Sequence, residues 1–219
     1  AFFMEYALIT GATSGIGFEL SVLYAQNGYG LVLVSSSKEH LENTENRLNE
    51  QYSVPILIYE QDLTKQGAAL ELYNKIKQKK LDVTVLINNA GFGLVGATDE
   101  INLSIDEQMM MLNMINLVSL SKLIILDMYR NKKGKILNVS STGAFQPGPY
   151  TSTYFASKAF VLSYSRAIRY EAKARGVQIC ILCPGATKTG FFRREGTATP
   201  NKAMLPEQVA RIAFRGLMK

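Results

Sequence analysis

The chain has 219 residues, 47% of them hydrophobic, enough for one sizeable core, and no break in composition divides it into two domains. Its formal charge is +6, with twelve Lys or Arg against three Asp or Glu from residue 158 to 219; lacking interleaved aromatics or a nucleic-acid motif, this bias reads as solvated helix faces and not as a nucleic-acid surface. The longest apolar runs, KLIILDM and VQICILC, fall short of the roughly 20 residues of a membrane span, and no basic-then-apolar leader opens the chain, so a cytoplasmic protein without a membrane span is expected.

Ala1, Phe2 and Phe3 read as a remnant ahead of Met4. YALIT then reads as a strand, followed by a helix over 15–27 that Gly28 ends; LVLVS precedes a helix over 38–51, and PILIYE one over 64–79. VTVLIN leads into a long helix from about 105 to 131, opened by the box Ser104-x-x-Glu107. KILNVS, a helix over 153–175, VQICIL and a last helix from Pro206 at its first position complete the series, with QPGPY and the stretch 193–205 as loops. Strands that are apolar throughout, alternating with helices, predict a doubly wound α/β fold with a parallel sheet covered on both faces. Cys180 and Cys183 lie three apart in a strand, so their side chains take opposite faces and read as core thiols; His40, the one histidine, falls in a polar helical stretch and reads as surface.

Two stretches carry chemistry. TGATSGIG, Thr10 to Gly17, joins the first strand to the first helix with glycines at 11, 15 and 17, as a tight turn approached closely by a pyrophosphate requires, and the helix start behind it attracts that anion. GFGLVG, residues 91–96, matches G-x-G-x-x-G literally, but no amphipathic helix follows it directly, and the match reads as accidental. In PYTSTYFASKAF, Tyr154 and Lys158 share a helical face. Tyr73 with Lys77 and Tyr129 with Lys133 repeat the spacing within charged stretches, whereas small and apolar neighbours surround Tyr154 and Lys158. A buried ammonium beside a phenol lowers its pKa toward the working range of a proton donor and acceptor, and Ser141 at a strand end can hydrogen-bond a carbonyl oxygen in the same crevice.

In order along nearly the whole chain, TGATSGIG, QDL, NNAG, an Asn within MLNMINLVSLSK, NVSS, YFASK and CPGATKT closely resemble the short-chain dehydrogenase/reductase family, and NVSSTGAFQPGPYTSTYFASKAF looks most like its bacterial ketone or acyl reductases. The resemblance implies Tyr154 as general acid/base, Lys158 as the residue that lowers its pKa and holds the nicotinamide ribose, Ser141 as the group orienting the carbonyl, and Asn113 as the support of a proton-conducting water chain, with Asn116 nearby blurring the register. It further implies cofactor contacts from Gly11, Thr13, Ser14, Gly15, Ile16 and Gly17, from Asp62 and Leu63 at the adenine, and from Asn89, Ala90 and Gly91 beside the adenine ribose. Pro184, Gly185, Thr187 and Thr189 follow in the PGATKT run, with Thr187 standing where an aliphatic residue is usual.

At the end of the second strand the sequence is SSSK, with no carboxylate to repel a phosphate; Ser35, Ser36 and Lys38 as donors predict NADP(H) over NAD(H), although the arginine that many NADP-binding relatives carry at position 36 is missing. One domain over 1–219 with a substrate loop at about 186–206, six strands in order 3-2-1-4-5-6 with the family's usual final strand missing, and a homo-oligomer formed through the helices at 105–131 and 153–175 complete the expectation. The implied activity is NADP(H)-dependent interconversion of a ketone, such as a 3-oxoacyl or other lipophilic carbonyl, and a secondary alcohol, without a metal; the alternative is a nucleotide-binding regulator or scaffold with no turnover.

Overall fold

A computed structural model describes residues 4–219, leaving the expected N-terminal remnant outside the described residues. Six strands, β1 (Glu5–Thr10), β2 (Gly30–Ser35), β3 (Ile56–Glu60), β4 (Asp82–Asn88), β5 (Gly134–Val139) and β6 (Val177–Leu182), form one parallel sheet in the order β3-β2-β1-β4-β5-β6. The helices are α1 (Gly15–Gln26), α2 (Lys38–Asn49), α3 (Ala68–Gln78), α4 (Leu103–Met110), α5 (Asn116–Asn131), α6 (Ser152–Lys173), α7 (Phe191–Glu195) and α8 (Pro206–Met218). The fold is therefore the doubly wound one, and its strand order reverses between β1 and β4, where such sheets open a crevice at their carboxyl ends.

The unbroken apolarity of the strands has a direct cause. Alternate residues of each strand feed two separate cores: Ala7 and Ile9 of β1 pack with Leu20 and Tyr24 of α1 and Ala213 and Leu217 of α8, while Leu8 packs with Leu72 and Ile76 of α3 and Leu120 and Ile124 of α5. With both faces covered, the central strands are buried along most of their length, and water reaches mainly the edge strand β3 and the strand ends. Gly28, at φ +79°, turns the chain out of α1, and Pro206 starts α8, both as the sequence indicates.

The long helix expected at 105–131 is the main departure. It starts at Leu103, capped by the Asn102 side chain, which accepts from Ser104 N at 2.9 Å, so the cap is Asn102 and not Ser104. Midway it widens into a π turn at Met111–Ile115. The whole run Leu103–Asn131 is long and apolar enough to cross a bilayer by length and composition, yet Leu117, Leu120, Ile124, Ile125 and Met128 are spent on the core. Three smaller differences are local. α3 begins only after Gly67, whose left-handed φ of +76° keeps residues 64–67 out of the helix; the loop at 193–205 takes up the end of α7; and Cys180 and Cys183 are half-buried thiols instead of core ones.

Candidate active site

The turn after β1 is held from below by β4. Thr10 Oγ1 accepts from Asn89 N and Ala90 N at 3.1 and 3.0 Å, and Asn89 Nδ2 donates to the Thr10 and Gly11 carbonyls at 3.1 Å. A Cβ on Gly17 would stand 2.1 Å from the Gly11 carbonyl oxygen, and Gly11 and Gly15 have φ of +63° and +55°, so three glycines are required by close approach or by backbone sign. Ser14 precedes α1 in an extended conformation and its side chain caps no N–H, which leaves the first amides of α1 to face a cavity of about 1090 Å³ over the carboxyl ends of the strands.

Most of the residues singled out in the sequence line that cavity. Gly11, Thr13, Ser14, Gly15 and Ile16 form one end, with Ser35 and Ser36 beside them, Asp62 and Leu63 at the end of β3, and Asn89, Ala90 and Gly91 after β4. Burial pushes the Asp62 carboxyl up, but the Thr64 hydroxyl and amide on its Oδ1 at 2.6 and 3.0 Å, with Lys65, hold it below the usual range. Ser141, Tyr154 and Lys158 stand at the other end, with Pro184, Gly185, Thr187 and Thr189 along the edge after β6. The Thr187 hydroxyl donates to the Gly185 carbonyl at 3.1 Å and so is satisfied within its own loop.

Three singled-out residues lie elsewhere. Gly17 packs under the turn and not on the cavity. Lys38 points away along α2, 3.7 Å from Glu42, an exposed i,i+4 pair that holds it off the expected phosphate position. In its place Ser37, His40 and Arg47 line the cavity from α2; His40 and Arg47 lie on one face at a spacing of seven, a pattern legible in the sequence only once that face is known to look inward. Asn113 sits behind the cavity wall: its side chain accepts from Phe92 N at 3.2 Å and donates to Phe92 O and Ser157 Oγ, both at 3.0 Å. A Cβ on Gly91 would lie 3.1 Å from Asn113 Oδ1 and 3.3 Å from Lys158 Nζ, so the two side chains approach each other across that glycine. Asn116 turns the other way, accepting from Ala69 N and donating to the Leu63 and Lys65 carbonyls, which settles the register.

The tyrosine and lysine are together. Lys158 is buried, its Nζ donates to the Val139 carbonyl at 3.0 Å and lies 5.7 Å from the centre of the Tyr154 ring, while Ser157 Oγ donates to the Tyr154 carbonyl at 2.7 Å. Tyr73 and Lys77 instead share Asp127 at the surface, and Lys133 pairs with Glu5. The electrostatics differ from expectation: burial pushes Tyr154 up to about 12, helped by the Glu195 carboxylate and opposed by the Ser141 hydroxyl, and burial pulls Lys158 down to about 8. Desolvation is the largest cause of both shifts. In GFGLVG, a Cβ on Gly93 would meet both Tyr154 and Phe191 at 3.0 Å, so this segment packs directly against those two rings. Phe92, Phe155, Phe191 and Phe192 line the cavity, whereas Phe145 and Tyr150 are exposed.

The sheet and the turn define a nucleotide-binding domain of the Rossmann type. More narrowly, the chain belongs to the short-chain dehydrogenase family, which it matches over residues 5–199. It is 35% identical over 198 residues to human 17-beta-hydroxysteroid dehydrogenase type 3, covering 86% of this chain and 61% of that protein. It is 32% identical over 219 residues to the very-long-chain 3-oxoacyl-CoA reductase of Anas platyrhynchos, covering 95% and 67%. The chain thus spans about two thirds or less of the length of these relatives. Among solved structures, the short-chain dehydrogenase from Sphingobium yanoikuyae in complex with NADPH superposes with a TM-score of 0.92 at 29% identity, covering 97% of this chain and 84% of that one. The bulky-bulky ketone specific alcohol dehydrogenase from Comamonas testosteroni gives 0.87 at 31%, covering 96% and 81%.

Proposed function

We propose that this chain is an NADP(H)-dependent oxidoreductase that interconverts a lipophilic ketone and its secondary alcohol. The observation that carries the reading is the burial of Tyr154 and Lys158 side by side in the cavity that also holds the glycine turn. The cradle fits a dinucleotide: its glycines let the turn pack tightly against Asn89, Ala90 and Thr189, where a Cβ would collide, and the free amides at the start of α1 suit an anion. When bound, the nicotinamide supplies the hydride.

The residues supply the rest. A phenol at about 12 stays protonated at neutral pH, so Tyr154 holds the proton that the reduced oxygen needs, and Ser141 beside it orients the carbonyl. Lys158, fixed by the Val139 carbonyl, replaces the missing solvent around the phenolate that forms when the proton leaves. Asn113 holds Phe92 and Ser157 in place behind them. Residues 186–206 act as the substrate loop; its Phe191 and Phe192, with Phe92 after β4 and Phe155 of α6, give the cavity an apolar surface suited to steroid-sized or acyl substrates, in keeping with the substrates that the relatives' names carry. At the end of β2, Ser35, Ser36 and Ser37 offer hydroxyls and no carboxylate, which favours the 2′-phosphate of NADP(H).

The reading is tested by following NADPH oxidation with a panel of bulky ketones and 3-oxoacyl thioesters in the wild type and in Tyr154→Phe. Turnover should fall by about a hundredfold or more in the variant, the scale of general acid catalysis, with NADPH binding retained. Equal rates in the two proteins would remove Tyr154 as the acid.

A further inference from the structure

Opposite the glycine turn, the chain brings a second source of positive charge to the same anion position. α7 carries Arg193 and Arg194 directly after Phe191, which packs on the Tyr154 ring, and Phe192, which packs on Phe191. Arg194 reaches across the cavity mouth and its Nη2 donates to Ser14 Oγ at 3.4 Å. Five residues before Arg194, Thr189 Cγ2 stands 2.8 Å from where a Cβ on Gly15 would be, so the segment is seated on the glycine turn at two points. Both arginines border the cavity, and among the described residues neither is paired with a carboxylate. A serine hydroxyl satisfies one of the five N–H donors of a guanidinium, and the planar fork that remains suits two phosphate oxygens.

We propose that Arg194 is a phosphate ligand carried by the segment 186–206, which closes over the cofactor pyrophosphate from the side opposite the amides of α1, so that nucleotide binding and closure of this segment are one event. This rests on the nucleotide reading above. The turn supplies amides that are fixed in the fold, whereas Arg194 sits on a segment joined to the body by few bonds. A dianionic bridge between them has donors on both sides, and without it the arginine has only a neutral hydroxyl to hold it. The same closure brings Phe191 against the Tyr154 ring, 5.2 Å between centroids, so occupancy of the phosphate position sets the wall of the substrate end.

The test compares wild type with Arg194→Gln, an exposed position whose substitution spares the core. NADPH affinity is read from nicotinamide fluorescence, and adenosine 2′-monophosphate, which lacks the pyrophosphate, is titrated in competition. NADPH should bind about tenfold or more weakly to the variant, the size of one charge-assisted hydrogen bond, with the monophosphate unchanged. Chymotrypsin cleavage after Phe191 and Phe192, resolved by mass spectrometry, should be suppressed by NADPH in the wild type and much less in the variant. Equal NADPH affinity and equal protection would overturn the proposal, and so would an equal loss for the monophosphate, which would move Arg194 to the adenosine end. A wild type that bound no NADPH at all would overturn the nucleotide reading, and this contact with it.

Discussion

Replacing Lys158 by Met should disable the site and yet make the protein more stable at neutral pH. The lysine is 5% exposed, and the one protein acceptor its ammonium reaches is the Val139 carbonyl. Burial brings its pKa from 10.5 to about 8, which at about 1.4 kcal/mol per pH unit places a cost of about 3 kcal/mol on the folded state below pH 8. Between about 8 and 10.5 the unfolded chain binds the proton and the folded chain does not, so wild-type stability climbs with pH across that window and the cost is gone above it. Methionine removes the charge at similar length but leaves the Val139 carbonyl unpaired, a loss of about 1–3 kcal/mol that does not depend on pH. The variant should therefore be more stable by up to about 2 kcal/mol at pH 7 and less stable by a similar amount near pH 10.5, the two curves crossing at about pH 9. Urea unfolding of both proteins without nucleotide, at intervals from pH 7 to 10, measures the difference, in which titrating groups not coupled to Lys158 cancel; the Cys183 thiol is coupled to it, and Cys183→Ala in both backgrounds removes that contribution. Parallel stability curves over that range would refute a lysine desolvated in the folded state.

Two further outcomes follow from the geometry. Placing an arginine at the end of β2, Ser36→Arg, adds a charged donor where Lys38 is turned away, and the ratio of NADPH to NADH affinity should rise about tenfold or more; an unchanged ratio would mean that the 2′-phosphate lies elsewhere. The outer faces of α5 and α6 expose Ile115, Leu126 and Phe160, and we propose that they pair with a second copy of the chain. Light scattering should then give twice 24.2 kDa at micromolar concentration, and a monomer would exclude the pairing.

Sheet order and both cores are legible because the middle of each strand is a continuous apolar run and each connection is a helix, a pattern that admits few topologies. The glycine turn was legible for a similar reason, since its letters fall between a strand and a helix. Tyr154 and Lys158 stood out from two equal spacings by the small, apolar company they keep. What escaped was everything decided by direction. Nothing in SSSK says that Lys38 prefers Glu42 to the cavity, or that His40 and Arg47 look inward. The π turn at Met111–Ile115 likewise has no residue signature of its own in the run MLNMI. The sequence shows the cation near Tyr154 but not the depth at which both groups are buried, and that depth pushes the phenol up and the ammonium down.

That widened turn sends Asn113 and Asn116 to opposite ends of the nucleotide groove, one to the strand-four loop under the chemistry, the other to the carbonyls of Leu63 and Lys65 beside Asp62. A single helical irregularity thus acts as a spacer bar with a fixed gauge. Deleting one residue from Met111–Ile115 to restore an ordinary helix would rotate everything after it by about 100°, and neither end of the groove could be kept without giving up the other.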